Sequence, residues 1–177
     1  YGDGVAVFTN NDKYADDLKS IRIHGQGKDK YNNARLGING RLDTIQAAIL
    51  LPKLKILNEE IKLRNKIASL YNDHISDSFI KHHIPSGNIS AWAQYSILCN
   101  STEHREIIMN KLKENNIPSA IYYITPLYRQ EAFNYLNFNK KDFPVSEELS
   151  SKILSLPMHP YLNKDDVNKI CEIINEI

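Results

Sequence analysis

The chain has 177 residues, of which 42% are hydrophobic and 24% charged, with a net charge of +1. That length allows one large domain or two small ones with a real core. The near-neutral charge, with no basic stripe, argues against nucleic acid as the main partner. The longest wholly apolar run, Ala47 to Leu51, is far too short to cross a bilayer.

No basic-then-apolar segment opens the chain, so no secretion signal is visible. The two cysteines, Cys99 and Cys171, lie far apart and form no CxxC pair, which points to unpaired thiols in a reducing, cytoplasmic compartment. The first residue is Tyr1 rather than methionine, so a processed chain or a piece of something longer is expected.

In chain order, Gly2-Asp3-Gly4 reads as a turn and Val5-Ala6-Val7-Phe8-Thr9 as a strand. Asn10-Asn11-Asp12 opens a helix from Lys13 to Ile21, and Ile21-Arg22-Ile23-His24 reads as a second short strand. From Gly25 to Gly40 there is no apolar period, which predicts a long excursion of the functional or mobile kind. Ile45, Ala48, Ile49, Leu54, Leu57, Ile61, Ile67, Leu70 and Tyr71 then recur near helical spacing. Pro52 interrupts that run and predicts a kink or break near Leu51, with a second helix from about Lys53 to His74.

Beyond Asp77 the pattern changes. Phe79 to Ile84, Ala91 to Cys99 and Ala120 to Ile124 read as strands. Helices are expected from Ser101 to about Asn115, Val145 to Leu154 and Lys164 to Ile177. This order describes a small α+β domain with a mostly antiparallel sheet. The expected division is therefore residues 1–76 and 77–177.

Arg35-Leu36-Gly37-Ile38-Asn39-Gly40-Arg41-Leu42-Asp43 carries the clearest chemistry. A glycine-broken turn presents the Asn39 amide and the Arg41 guanidinium, donors suited to phosphate or carboxylate, and runs into a helix that Asp43 can cap. Lys28 and Lys30, beside Gly25-Gln26-Gly27, offer charge to phosphate, but a solvated mobile loop is the default reading. His82 and His83, adjacent on an expected strand, point to opposite faces and cannot share a metal, so no metal site is expected. Cys171 shares a helix face with Ile170 and Ile174 and reads as a packing residue. No HExxH, GxSxG or P-loop pattern occurs. Of Tyr122 and Tyr123 on an expected strand, one faces the core and one faces away.

Taken in order, these motifs resemble the DegT/DnrJ/StrS group of pyridoxal-phosphate-dependent nucleotide-sugar aminotransferases. The resemblance rests on Tyr1-Gly2-Asp3-Gly4 with Phe8-Thr9-Asn10, then Arg22-Ile23-His24-Gly25-Gln26 with Lys28-Asp29-Lys30-Tyr31. It continues through Leu36 to Asp43 and Gln46-Ala47-Ala48, and closes with Ile117-Pro118-Ser119-Ala120, Pro126-Leu127 and Leu156 to Leu162. It implies an α/β chain, part of a fold-type-I transferase: the end of the large cofactor-binding domain followed by the small α+β domain. It also implies a homodimer whose active sites draw on both subunits, or a complex with a separate amino-terminal half.

By this resemblance Asn39 matches the asparagine that reaches the neighbouring subunit's cofactor phosphate, and Arg41 an arginine that meets the anionic substrate. Tyr122 and Tyr123 fall where substrate contacts lie, usually a His-Tyr pair. His24 and His159 match recurrent positions, with structural roles expected for both. The implied reaction moves an amino group from glutamate, through pyridoxal 5'-phosphate, to a nucleotide-linked keto-sugar used for surface polysaccharide or glycan precursors. The lysine that binds the cofactor belongs before Tyr1, so no catalytic residue is assigned in this chain and no activity is expected of it alone. The alternatives are a non-catalytic dimerising relic and part of a sugar dehydratase. Val5 stands where the family has a further glycine, and Pro52 where it has a helix former.

Overall fold

The computed structural model describes residues 4–177; the Gly2-Asp3-Gly4 turn lies largely outside them. The chain divides into two compact units, Tyr1–Leu57 and Asn58–Ile177. Their boundary falls inside a long helix, whereas the residue patterning divides the chain where that helix ends.

In the first unit, α1 spans Asp12–Ile21. Asn11 caps it, its side-chain oxygen accepting from the Tyr14 N–H at 3.2 Å, as the Asn-Asn-Asp run predicts. The expected strand at Val5–Thr9 is not formed. A strand exists only against a hydrogen-bonding neighbour, and none of the described residues pairs with this one. Its side chains stand in the open, Phe8 91% exposed. The expected strand at Ile21–His24 reduces to a single bridge between Ile23 and Asn39.

Helix α2 spans Thr44–His74, continuous across Pro52. The expected break near Leu51 does not occur. Proline removes one backbone bond, but the bonded turns on both sides of it keep the backbone helical. Asp43 contributes its carbonyl to the Ala47 N–H at 2.9 Å.

The second unit holds the core. Strand β1, Tyr95–Leu98, pairs antiparallel with β2, Ile153–Leu156, in a register that sets Ser96 against Ser155. Those two buried hydroxyls hydrogen-bond at 2.7 Å, so the polar pair inside the sheet is satisfied. Single bridges from Ile80 to Leu98 and from Ala120 to Ser155 extend the pair. The part of α2 from Asn58 onward packs in this unit with α3 (Thr102–Glu114), α4 (Pro144–Lys152) and α5 (Lys164–Asn175). Tyr71, Ile97, Ile108, Leu112, Leu154, Val167 and Ile174 are fully buried at their junction. The mixed helix-and-antiparallel-strand organisation expected for this half is present.

Several expected strands are shorter, each for a visible reason. Trp92 has φ 46 and Tyr123 has φ 62, left-handed values that no strand accommodates, so Ala91–Ala93 stays outside β1 and Tyr122–Tyr123 is a turn. Ile153–Leu156, expected partly as helix, is instead the strand that pairs with β1. Pro144 sits in the first turn of α4, where its missing N–H costs nothing. Among the described residues no helix is long and apolar enough to cross a membrane.

Candidate functional site

The segment from Arg22 to Gly40 is not a slack excursion. It folds back on itself and is tied to the carboxy-terminal end of α1 by backbone bonds. The Ile38 N–H donates to Ile21 O at 2.9 Å, the His24 N–H to Ile38 O at 2.9 Å, and the Gly40 N–H to Arg22 O at 2.8 Å. Ser20 closes the outer arm, its hydroxyl donating to Gln26 O at 2.6 Å. Arg35 pairs with Asp17 of α1.

Two glycines permit this crossing. A Cβ on Gly25, which has φ 72, would sit 1.9 Å from the Arg35 carbonyl oxygen. A Cβ on Gly37 would sit 2.0 Å from the Gly25 nitrogen. Backbone passes against backbone here, and no side chain has room. The excursion is therefore a preset frame; Asn39 leaves it between the bonded residues Ile38 and Gly40, and Arg41 follows directly after Gly40.

Both side chains are exposed. They line one wall of an open trough of about 770 Å³, whose other walls come from Val5, Val7, Phe8, Leu18, Ile21 and Leu42. The structure brings Asn39 and Arg41 together, two residues apart on one loop. Their polar heads have no ion-pair or side-chain hydrogen-bond partner among the described residues. Arg41 also borders a second hollow of about 380 Å³, with Ile23, His24, Gln26, Lys30, Tyr31 and Asn33. Lys28 does not line it.

Tyr122 and Tyr123 lie in the other unit and part company there. Tyr122, 44% exposed, borders a small hollow of about 230 Å³ with Gln94, Ser119, Leu156 and Met158. Tyr123 is 84% exposed and lines none of the three hollows described. His159 has a local role, its Nδ1 accepting from the Tyr161 N–H at 3.2 Å.

Other candidates resolve as packing. Cys99 and Cys171 are buried free thiols, and burial pushes each up to about 11, so neither is a thiolate at neutral pH. His82 stands edge-on to Trp92 at 5.7 Å. Among the described residues no group of three His, Cys, Asp or Glu side chains is placed to hold a metal ion.

A constellation of Tyr128, Arg129 and Glu147 has no signal in the sequence. The Tyr128 hydroxyl donates to Glu147, and Arg129 lies 3.2 Å from the same carboxylate. The hydrogen bond from Tyr128, and then the Arg129 charge, hold Glu147 below the usual carboxylate range. Partial burial, and then Glu147, push Tyr128 up to about 12. With Phe143 against Tyr128 at 4.7 Å, this group reads as an anchor for the segment before α4.

A model of the DegT/DnrJ/EryC1/StrS aminotransferase family matches residues 1–175, and the chain belongs to that family. It is 42% identical over 172 residues to the UDP-2-acetamido-2-deoxy-3-oxo-D-glucuronate aminotransferase of Pseudomonas aeruginosa, covering 97% of this chain and 46% of that protein. Against the dTDP-3-amino-3,6-dideoxy-alpha-D-galactopyranose transaminase of Aneurinibacillus thermoaerophilus it is 35% identical, covering 97% and 46%. A crystal structure of a DegT DnrJ EryC1 StrS aminotransferase from Brucella abortus superposes with a TM-score of 0.87 at 47% identity, over 96% of this chain and 44% of that one. The chain spans about half the length of the relatives it matches, and its fold is that of the carboxy-terminal portion of a fold-type-I aminotransferase.

Proposed function

We propose that this chain is the carboxy-terminal part of an enzyme that moves an amino group from glutamate to a keto-sugar carried on a nucleotide, in the cytoplasm, for glycan precursors. The observation that carries this reading is the frame around Asn39 and Arg41. Two anion-seeking side chains stand free on a loop that glycine crossings and backbone bonds hold in place. Family membership and relatives named for UDP- and dTDP-sugars support it.

Pyridoxal 5'-phosphate, when bound, supplies the electron sink for amino transfer. The residues present fit one part of its grip. The Asn39 amide is exposed and unpartnered, so it is free to donate to a phosphate oxygen of a cofactor held across a subunit boundary. Arg41 orients the anionic substrate by a forked pair of charge-assisted bonds. In the other unit Tyr122 offers a hydroxyl from the rim of its hollow, and Tyr123 an exposed ring for substrate arriving from a partner. Residues 1–76 belong, on this reading, to the large cofactor-binding domain and 77–177 to the small domain. The lysine that carries the covalent chemistry is contributed by residues outside this sequence, within a homodimer or a complex with the amino-terminal half.

The test is co-expression with the amino-terminal half of the enzyme. The complex is expected to transfer nitrogen from glutamate to a UDP- or dTDP-linked keto-sugar, and the 177-residue chain alone is not. Turnover by the pure chain, or an inert complex, contradicts the reading.

A further inference from the structure

The group formed by Tyr128, Arg129 and Glu147 does more than close a surface segment, because of where that segment starts. The turn that carries Tyr122 and Tyr123 lies just before it, with only Ile124, Thr125, Pro126 and Leu127 between. Tyr123 sits at φ 62, a left-handed value that an aromatic residue keeps only when its surroundings hold it there. Ties on both sides of the turn supply that hold.

On the upstream side Ala120 is bonded to β2. Its N–H donates to Ser155 O at 3.1 Å, and the Ser155 N–H donates to Ala120 O at 2.8 Å. On the downstream side Pro126 is buried, and the Gln130 side-chain amide donates to Thr125 O at 3.1 Å. Glu147 then takes the Tyr128 hydroxyl and the Arg129 guanidinium on one carboxylate. Glu147 belongs to α4 and Ser155 to β2, and α4 runs straight into β2. The far end of α4 is fixed as well, the Arg105 guanidinium donating to Ser150 O at 2.9 Å and the Thr102 hydroxyl to Ser151 O at 3.1 Å. A single spine, α4 with β2, therefore pins the tyrosine turn from both sides.

We propose that Glu147 is a positioning residue for the substrate: by holding Tyr128 and Arg129 it fixes the turn from which Tyr122 and Tyr123 meet the keto-sugar. This rests on the assignment of those two tyrosines to substrate in the reading above, and adds a residue to which that reading gives no role. Glu147 acts through the turn and not on the substrate. Its two bonds set the path of the chain out of the turn, and the directions of the tyrosine side chains follow from that path. Without the carboxylate the outgoing arm keeps only its local bonds, the tyrosines sample more directions, and substrate binding weakens.

Steady-state kinetics of the complex with the amino-terminal half test this, with glutamate and the UDP- or dTDP-linked keto-sugar that the native complex turns over. Glu147→Ala is expected to raise KM for the keto-sugar about tenfold, the scale of one lost hydrogen bond to substrate, with kcat little changed. Glu147→Gln keeps an acceptor for the Tyr128 hydroxyl and is expected to fall between Glu147→Ala and the native chain. Glu148→Gln loses only the surface pair with Lys152 and is the control, expected to match the native chain. In a Tyr122→Phe, Tyr123→Ala background, itself raised in KM, Glu147→Ala is expected to add nothing, because its effect passes through those side chains. A lowered kcat at native KM, a full further rise in that background, or a background whose KM is native overturns the positioning role and leaves the enzyme reading standing. Amide chemical shifts of the 177-residue chain decide the tie without turnover. Glu147→Ala is expected to move the Tyr122 and Tyr123 signals while those of Ile97 and Ile108 stay, and unmoved tyrosine signals overturn the proposal. An inert native complex overturns the enzyme reading and, with it, the substrate role of the turn.

Discussion

Gly25 and Gly37 decide the geometry of the candidate site more than Asn39 or Arg41 do. A methyl group on either would meet backbone atoms at 1.9 to 2.0 Å, and Gly25 adds a positive φ. Gly25→Ala is therefore expected to displace the Arg22–Gly40 frame while leaving the second unit intact. Amide chemical shifts test this: changes confined to the first unit agree, and an unaltered frame does not. A comparable dependence holds at Asn65, whose amide donates to Ile61 O at 2.8 Å and Ser90 O at 2.9 Å and whose oxygen accepts from Trp92 at 3.0 Å. Asn65→Ala leaves three partners to find water, so a loss of about 1–3 kcal/mol is expected in denaturant melts. At this scale the sequence was legible where one residue type has one use. The packing role of Cys171 could be read from type and spacing, whereas the Tyr128–Glu147 contact joins residues whose pairing no local pattern announces.

The elements divide by where their hydrogen bonds go. Helices carry their bonds within one segment, so α1, α3 and α5 lie within a few residues of where their caps and periods place them. Strands depend on a partner elsewhere in the chain, and there the reading from sequence shortened or failed. Val5–Thr9 has no partner among the described residues, Trp92 and Tyr123 turn left-handed, and β2 was hidden at the end of a helical pattern.

Two predictions belong to the elements. Ser101 caps α3 by accepting from the His104 N–H at 3.1 Å, so Ser101→Ala is expected to cost about 1 kcal/mol in thermal or denaturant melts. The anchor before α4 should respond to pH in a defined direction. Glu147 is held below its ordinary value of 4.5, so its contribution is present above that pH and is lost as pH falls through the lowered value. Tyr128 is raised above 10.0, so its contribution is present below that pH and is lost as pH rises through about 12. Proteolysis of residues 127–143 should accelerate in acid for the native chain, and Glu147→Gln should flatten the acid response. Equal acid sensitivity in both would contradict the anchor.

The whole molecule is uneven. Among the described residues, all of those that form the hydrophobic core lie in the second unit, whereas Val5, Phe8, Leu36 and Ile45 of the first stand exposed. Hydrogen exchange is expected to show strong protection in β1, α3 and α5 and weak protection in α1 and the Arg22–Gly40 frame. Ile108→Ala should cost about 2–5 kcal/mol of the second unit's stability, with little effect on the first. A unit with apolar walls, a backbone-bonded polar loop and, among the described residues, little core of its own is suited to completion by a partner surface.

Cofactor titration probes that completion at Asn39 itself. In the complex with the amino-terminal half, pyridoxal 5'-phosphate binding is followed by absorbance for the native chain and for Asn39→Ala. Both complexes are expected to assemble, with Asn39→Ala weakening cofactor binding about tenfold, the cost of one hydrogen bond to a charged phosphate. Equal cofactor affinity in the two complexes would contradict it.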